Sequence, residues 1–196
     1  RVVLPEEGAG TLESGFSTGN ADSLYKAWRR IEAFDPEIVI VMSADHIFRM
    51  DLRDAIDQHR ESGAECTIVS YELSLSEAAH KAVLEVNADG RVTGVEYKPD
   101  KASSTTVSTE VTLYSTAALG RALQELRAAR SEAASETEEE RDTGLGDFGE
   151  YLLPWFVERG HTYAFPMPGY WRDVGRPESY FGAHRDLIAG RIDVFT

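Results

Sequence analysis

Cysteine is almost absent from the sequence, because Cys66 is the only one in 196 residues. An internal disulfide and a cysteine-rich metal site are therefore excluded, and the strand-like surroundings of Cys66 favour a buried, unreactive thiol. Basic residues are also scarce, 20 against 34 acidic ones, which gives a formal net charge of −14. This balance argues against binding of nucleic acid or of anionic membranes through a diffuse basic surface. An anionic substrate would need local positive charge or a divalent cation.

Long apolar runs and targeting signals are missing as well. No stretch approaches the roughly 20 apolar residues that span a bilayer. No signal peptide is recognisable either, so we expect a cytoplasmic protein with no membrane partner. The first residue is Arg1 rather than Met, which favours a piece of a longer protein. The acidic stretch at residues 135–142 is predicted to be a solvated or disordered loop.

Apolar strands alternate with amphipathic helices along the chain. Residues 37–43 form a nearly continuous apolar run, which is typical of a strand buried on both faces of a parallel sheet. The Asp-Gly pair at 89–90 predicts a hairpin. Together these patterns predict a doubly wound α/β domain with a mixed, mostly parallel sheet. Helical spacing is found at residues 21–34, 51–62, 117–134 and 177–187.

A carboxylate stands just beyond the apolar run at 37–43. In an open α/β sheet the ligand lies outside the carboxyl ends of the strands, so Asp45 is a candidate catalytic or metal-binding residue. The alternative is that Asp45 caps the helix beginning near Asp51, or closes a turn. Asp173 has a similar setting, and two converging carboxylates would suit Mg²⁺, which prefers oxygen ligands. Spacing alone does not show that the two converge.

The Gly-Asn-Ala-Asp segment at 19–22 lies at a predicted loop-to-helix junction. Free N–H groups at a helix N-terminus bind phosphate, so this segment is a candidate phosphate site. A plain helix cap by Asn20 or Asp22 is the commoner explanation for such residues.

Five short motifs follow one another along the chain. They are Gly-Asn-Ala-Asp at 19–22, Ser-Ala-Asp-His-Ile at 43–47, Tyr-Lys-Pro at 97–99, Asp-Phe-Gly at 147–149 and Tyr-Trp-Arg-Asp-Val-Gly at 170–175. As an ordered set they resemble the motifs of the glucose-1-phosphate adenylyltransferases (ADP-glucose pyrophosphorylases), which belong to the sugar-1-phosphate nucleotidyltransferases. No single motif would be sufficient to indicate this family.

The resemblance implies a Rossmann-like nucleotidyltransferase domain and a reaction. A phosphate oxygen of a sugar 1-phosphate, expected to be glucose 1-phosphate, attacks the α-phosphorus of a nucleoside triphosphate, expected to be ATP, and pyrophosphate leaves. Asp45 and Asp173 match the family's metal-binding aspartates, with Mg²⁺ as the cofactor. Lys98 matches the lysine that holds the sugar phosphate; without the resemblance it would be an exposed lysine at a hairpin end. The other positions carried over as substrate-binding are Gly19, Asn20, Ala21, Ala82, Tyr97, Ser108, Glu110 and Trp171.

Four departures from the family pattern fall on the sugar side. Tyr97 replaces a glutamate, Ala82 and Glu110 replace small residues, and Ser17 replaces a tyrosine. We expect these residues to line one altered pocket with Lys98 at its phosphate end. Poor use of glucose 1-phosphate should result. Either a different sugar phosphate is the substrate, for example one with an amino group that meets Glu110, or the pocket is silent.

The family's N-terminal Gly-rich nucleotide loop and C-terminal β-helix have no counterpart in the 196 residues. We therefore expect residues 1–196 to be a partial catalytic domain that is inactive by itself. The resemblance also implies a homo-oligomer, a tetramer as in the family. The alternatives are a non-catalytic regulatory paralogue or subunit and, third, a structural fragment.

Overall fold

The computed structural model describes residues 19–134, 145 and 147–192. The predicted acidic loop at 135–142 and Ser17 lie outside these residues. The helices are α1 Asn20–Glu32, α2 Leu52–Glu61, α3 Leu75–Ala78, α4 Thr116–Ala134, α5 Leu153–Glu158 and α6 Pro177–Ile188, and a π-helical segment, Phe148–Leu152, leads into α5. The strands are β1 Ile38–Met42, β2 His46–Phe48, β3 Cys66–Glu72, β4 Ala82–Val86, β5 Val92–Tyr97, β6 Thr106–Ser115, β7 Thr162–Pro166 and β8 Trp171–Asp173.

A mixed six-stranded sheet forms the centre of the domain, with the order β5-β4-β6-β3-β7 and with β1 also paired to β6. The predicted α/β class and mixed sheet are confirmed, but the expectation of a mostly parallel sheet is wrong. Within the described residues only β3 and β7 pair in parallel. Strands β1, β3 and β7 do run in one direction, as their alternation with helices requires, but antiparallel β6 lies between β1 and β3.

The core has two layers, one on each face of the sheet. Cys66 and Ile68 of β3 point to the face covered by α1, α4 and α5, whereas Val69 points to the face covered by α2. The alternation of β3 side chains thus serves both layers, which confirms the doubly wound arrangement. Cys66 is fully buried, as predicted, and burial raises the pKa of its thiol.

Strand β1 is less buried than its apolar sequence predicts. Its first four residues are half-buried and Met42 is exposed. Among the described residues it pairs with β6 alone, so it lies at an edge of the sheet as described. The prediction of burial on both faces is therefore wrong here.

The predicted hairpin is confirmed as β4 and β5. Gly90 closes it with a φ of 77°, a left-handed conformation that glycine adopts readily. The Asn87 side chain supports the turn by accepting hydrogen bonds from the N–H groups of Asp89 and Arg91. This hairpin sets the position of Lys98, which follows β5.

A two-stranded ladder of β2 and β8 was not predicted, because each strand has only three residues. His46 pairs with Asp173, and Phe48 pairs with Trp171. Such a short pair has too few residues to show a period in the sequence.

Of the helices that the structure describes, none is long and apolar enough to span a membrane.

Candidate active site

The β2–β8 ladder brings Asp45 and Asp173 together. The N–H of Val174 donates to the carbonyl oxygen of Asp45 at 2.9 Å. A Cβ atom built on Gly175 would lie 3.1 Å from Asp173 Oδ1 and 3.1 Å from Asp45 Oδ2. The two carboxylates therefore border the same small space, and their oxygens are the ligand type that a hard divalent cation requires.

Asp45 does not cap the neighbouring helix, which excludes one of the two alternatives that the sequence left open. The N-cap of α2 is Asp51, whose carboxylate accepts from the N–H of Arg53 at 3.0 Å. Asp45 instead accepts a hydrogen bond from the hydroxyl of Ser43, and this bond lowers the pKa of the Asp45 carboxyl. The side chain is 57% exposed, so an ionised carboxylate is open to a ligand.

Lys81 forms an ion pair with Asp173 in the same space. Its ammonium also lies 5.6 Å from the centre of the Trp171 ring. Burial lowers the pKa of Lys81, and the negative charges of Glu110 and Asp45 oppose that shift. The sequence motifs did not single out Lys81. The signal that could have identified it is its position at the start of the predicted hairpin, opposite Lys98. Lys81 directly precedes β4, and the N–H of Lys98 donates to its carbonyl at 2.9 Å.

Glu110 lies beside Asp45. It has a φ of 58° within β6, where the pairing with β3 shifts register between Ile68 and Ser70. One ligand atom from each of Asp45, His46 and Glu110 lies within 4.8 Å of the other two. A β-bulge re-aims side chains, and here it directs Glu110 to the same edge as Asp45. Ser108 supports the bulge, since its hydroxyl accepts from the N–H of Glu110 at 3.1 Å.

Lys98 lies at a second cluster, together with Tyr97 and Asp147. The Tyr97 hydroxyl donates to Asp147 Oδ2 at 3.1 Å, and the Lys98 ammonium lies 4.6 Å from the centre of the Tyr97 ring. The contact with Tyr97 raises the pKa of Lys98, and the charges of Asp147 and Glu110 act in the same direction. Lys98 is therefore a cation at neutral pH, available for an anion.

The segment at 19–22 forms the start of α1 and also contacts the Asp-Phe-Gly motif beside the second cluster. Gly19 precedes the helix with a φ of 89°, and none of the side chains that the structure describes caps the helix. Asn20 is not a cap, because its Oδ1 accepts from the N–H of Phe148 at 2.7 Å. Ala21 is fully buried, and Asp22 forms an ion pair with Lys26 at 2.8 Å. Asn20 thus ties α1 to the Asp-Phe-Gly motif.

The remaining predicted residues are mostly buried. Trp171 is 5% exposed and packs its ring edge-on to His46, with 5.3 Å between ring centres. Ala82 is 9% exposed and pairs with Tyr97 across β4 and β5.

Glu110 belongs to the cluster around Asp45, whereas Tyr97 belongs to the neighbouring cluster around Lys98. The single altered pocket predicted from the sequence, which also includes Ser17, stays a prediction.

A cavity of about 390 Å³ opens beside Lys98. Arg176 and His80 also line it, with Asp100 as its one acidic side chain. This concentration of basic groups contrasts with the net charge of −14 and suits a phosphate. A larger cavity of about 490 Å³, lined among others by Ser70 and Met167, contains none of the predicted site residues.

Residues 6–190 match the family model for nucleotidyl transferases. The chain is a member of the nucleotidyl transferase family. The predicted resemblance is thereby confirmed, and the motifs that gather at the β2–β8 ladder and at Lys98 belong to this domain.

Several curated glucose-1-phosphate adenylyltransferases are similar to this nucleotidyl transferase chain. The Thermotoga neapolitana protein is 33% identical over 189 residues, which are 95% of this chain and 41% of that protein. The Vibrio cholerae glucose-1-phosphate adenylyltransferase 1 is 32% identical over 180 residues, 87% of this chain and 43% of that protein. The Clostridium acetobutylicum protein is 31% identical over 171 residues, 87% of this chain and 42% of that protein. The chain thus spans about two fifths of the length of these relatives.

Proposed function

We propose that the protein containing this chain transfers a nucleotidyl group from a nucleoside triphosphate to a sugar 1-phosphate, forming a nucleoside diphosphate sugar and pyrophosphate. The carrying observation is the β2–β8 ladder, which brings Asp45 and Asp173 together near Lys81. Phosphoryl-type transfer depends mainly on positioning and on stabilising charge, and this edge supplies charged groups for both. The similarity to glucose-1-phosphate adenylyltransferases favours ATP and glucose 1-phosphate as substrates.

The basic side chains would bind the reacting phosphates. Lys98 and Arg176 line one cavity, and their charges act on Lys81 at the carboxylate edge, so a sugar phosphate held there would lie near that edge. That oxygen forms the new bond to the α-phosphorus, while the bond from the α-phosphorus to the bridging oxygen breaks and releases pyrophosphate. No covalent enzyme intermediate is needed, so the residues contribute by position and charge.

A divalent cation, expected to be Mg²⁺, would when bound neutralise charge on the triphosphate and on the leaving pyrophosphate. Asp45 fits this role, because its carboxylate is exposed and its pKa is lowered by the Ser43 hydroxyl. Asp173 faces the same space, but Lys81 has to leave it before Asp173 can bind a cation. The shared Asp45–Asp173 magnesium site stays a prediction.

The Lys81–Asp173 ion pair also favours a second candidate, a regulatory subunit without catalysis. An ammonium that occupies a metal-binding carboxylate would oppose cation binding at Asp173. In this case the protein binds nucleotide or sugar phosphate but turns neither over.

The complete protein should be assayed for pyrophosphate release with ATP and other nucleoside triphosphates, Mg²⁺ and a panel of sugar 1-phosphates. The panel should include glucose 1-phosphate and glucosamine 1-phosphate, which together test whether Glu110 meets an amino group. Asp45→Asn should lower kcat at least about 100-fold, because a bound cation supplies several kcal/mol of transition-state stabilisation. Asp51→Asn is the matched control, since asparagine caps a helix as well as aspartate does.

Two results would count against the enzyme. Unchanged turnover in Asp45→Asn would remove Asp45 from the reaction. Tight binding of a substrate pair without pyrophosphate release would favour the regulatory subunit. A homo-oligomer, expected to be a tetramer, and a cytoplasmic location are further proposals, which light scattering on the complete protein and cell fractionation would check.

A further inference from the structure

His46 is a buried histidine whose free nitrogen faces the exposed carboxylates. Its side chain is 1% exposed, and its Nδ1 lies 2.8 Å from the carbonyl oxygen of Thr109. A carbonyl oxygen only accepts, so Nδ1 carries a hydrogen, and Nε2 is the ring nitrogen that could bind a metal. Nε2 lies 3.6 Å from Asp45 Oδ1 and has no hydrogen-bond partner among the described residues.

A histidine held in this way is prepared for a metal. Ligating histidines usually donate their other ring N–H to a carbonyl or carboxylate, which fixes the tautomer and the ring orientation. Here the Nδ1–H of His46 donates to the carbonyl oxygen of Thr109. Thr109 immediately precedes Glu110 in the bulge. The same backbone segment therefore orients the imidazole of His46 and places the Glu110 carboxylate beside it.

We infer that Asp45, His46 and Glu110 form a divalent metal site that this chain uses in place of the Asp45–Asp173 pair. The three ligand atoms lie within 4.8 Å of one another, whereas ligands about 2.1 Å from one ion can be at most about 4.2 Å apart. Asp45 and Glu110 are exposed, so small side-chain rotations close that gap. The inference deepens the proposed function, on which its catalytic meaning rests.

Asp173 is the residue that this ligand set leaves out. Its carboxylate is already neutralised by Lys81, so a metal at Asp45, His46 and Glu110 leaves that ion pair intact. Glu110 also lies close enough to Lys81 to favour its charged form. The lysine and the glutamate thus act together: one occupies the expected ligand and the other supplies a new one.

The ligand set indicates the class of metal. Mg²⁺ is usually bound by oxygen atoms alone, whereas imidazole suits first-row transition metals. We therefore expect Mn²⁺ to bind more tightly than Mg²⁺, since one nitrogen joins two carboxylate oxygens. Mn²⁺ is also a direct probe, because its paramagnetic signal reports both binding and ligand type.

The test is a titration of the complete protein with Mn²⁺, followed by the electron paramagnetic resonance signal of the free ion and without either substrate. Glu110→Gly and His46→Asn should each weaken Mn²⁺ binding at least about 10-fold, because even the loss of a group that only orients a ligand costs that much. Asp173→Asn is the comparison variant that separates the two ligand sets, and it should weaken Mn²⁺ binding less than either of these substitutions does. The spin-echo spectrum of the bound ion should show nitrogen modulation that disappears in His46→Asn.

We expect Glu110→Gly and His46→Asn to fold, so a loss of Mn²⁺ binding in either variant reports on the metal ligands. Glycine accepts the left-handed conformation at position 110, and the asparagine amide can donate to the Thr109 carbonyl in place of the imidazole. Circular dichroism of each variant checks the fold. Loss of binding in Asp173→Asn together with normal binding in Glu110→Gly would overturn the inference, as would Mn²⁺ binding without nitrogen modulation. Because no turnover is measured, a failure here is distinct from a failure of nucleotidyl transfer.

Discussion

Gly175 is the residue whose missing side chain leaves room between two carboxylates. A Cβ atom there would lie 3.1 Å from Asp45 Oδ2 and from Asp173 Oδ1, closer than most such contacts. We predict that Gly175→Ala lowers metal affinity at least about 10-fold with little change in stability, because it shifts Asp45 away from its proposed ligand position. Mn²⁺ titration and thermal unfolding measure the two effects.

Gly94→Ala is the control for this prediction. Its Cβ would meet Glu85 Oε2 at 2.7 Å, and that exposed side chain can move aside. Equal loss of metal affinity in the two variants would show that the space around Gly175 has no special role.

His59 is a buried histidine that should make the stability depend on pH. It is 2% exposed, and its ring nitrogens contact the Thr67 hydroxyl at 2.8 Å and the Ser115 hydroxyl at 3.1 Å. Burial lowers the pKa of His59, so between that pKa and the unfolded value of about 6.5 the unfolded chain binds more protons. Stability should therefore fall as the pH drops below about 6.5.

Urea unfolding at about pH 7.5 and about pH 5.5 measures this loss. His59→Gln should make the loss smaller, since glutamine keeps hydrogen-bonding groups but does not titrate. His184→Gln, at an exposed histidine, should leave the loss unchanged. A His59→Gln variant as acid-sensitive as the parent would contradict the assignment.

Helices α1 and α4 pack through a contact between one glycine and one tryptophan. A Cβ atom on Gly120 would lie 2.7 Å from Cζ2 of Trp28, which is 8% exposed. Alanine in a helix is favoured over glycine by about 1 kcal/mol, but overpacking costs about 1–3 kcal/mol. We predict that Gly120→Ala destabilises the parent and stabilises a Trp28→Phe background, because the smaller ring removes the clash.

A double-mutant cycle in urea measures this change of sign. Additive effects would show that α4 shifts to accept the methyl group without reference to Trp28. The contact matters for the site because α1 also carries Asn20, which holds the N–H of Phe148 beside Asp147.

The whole chain carries a net charge of −14, which opposes a compact state through self-repulsion. We predict that KCl at about 0.2 M raises the Tm relative to a buffer of low ionic strength, because the Debye length then falls below about 10 Å. MnCl2 at the same ionic strength should raise the Tm further, because a ligand at 100 times its Kd adds about 2.7 kcal/mol to the free energy of unfolding.

Asp45→Asn separates the two effects of added salt. It should keep the rise with KCl and lose the additional rise with MnCl2, since Asp45 belongs to either proposed ligand set. A Tm that falls with KCl would show that local ion pairs outweigh the net charge.

The sequence by itself determined the family, the α/β class, the helices and the β4–β5 hairpin, because these follow from motifs and from periods of apolar residues that are local in the chain. It also indicated Asp45 and Asp173 as a pair, through the resemblance and their similar settings. Only the tertiary structure decided the direction of β6, the β2–β8 ladder and the contacts of Lys81 and Glu110. These depend on pairing between residues far apart in sequence, and short strands, bulges and left-handed residues leave no periodic signal.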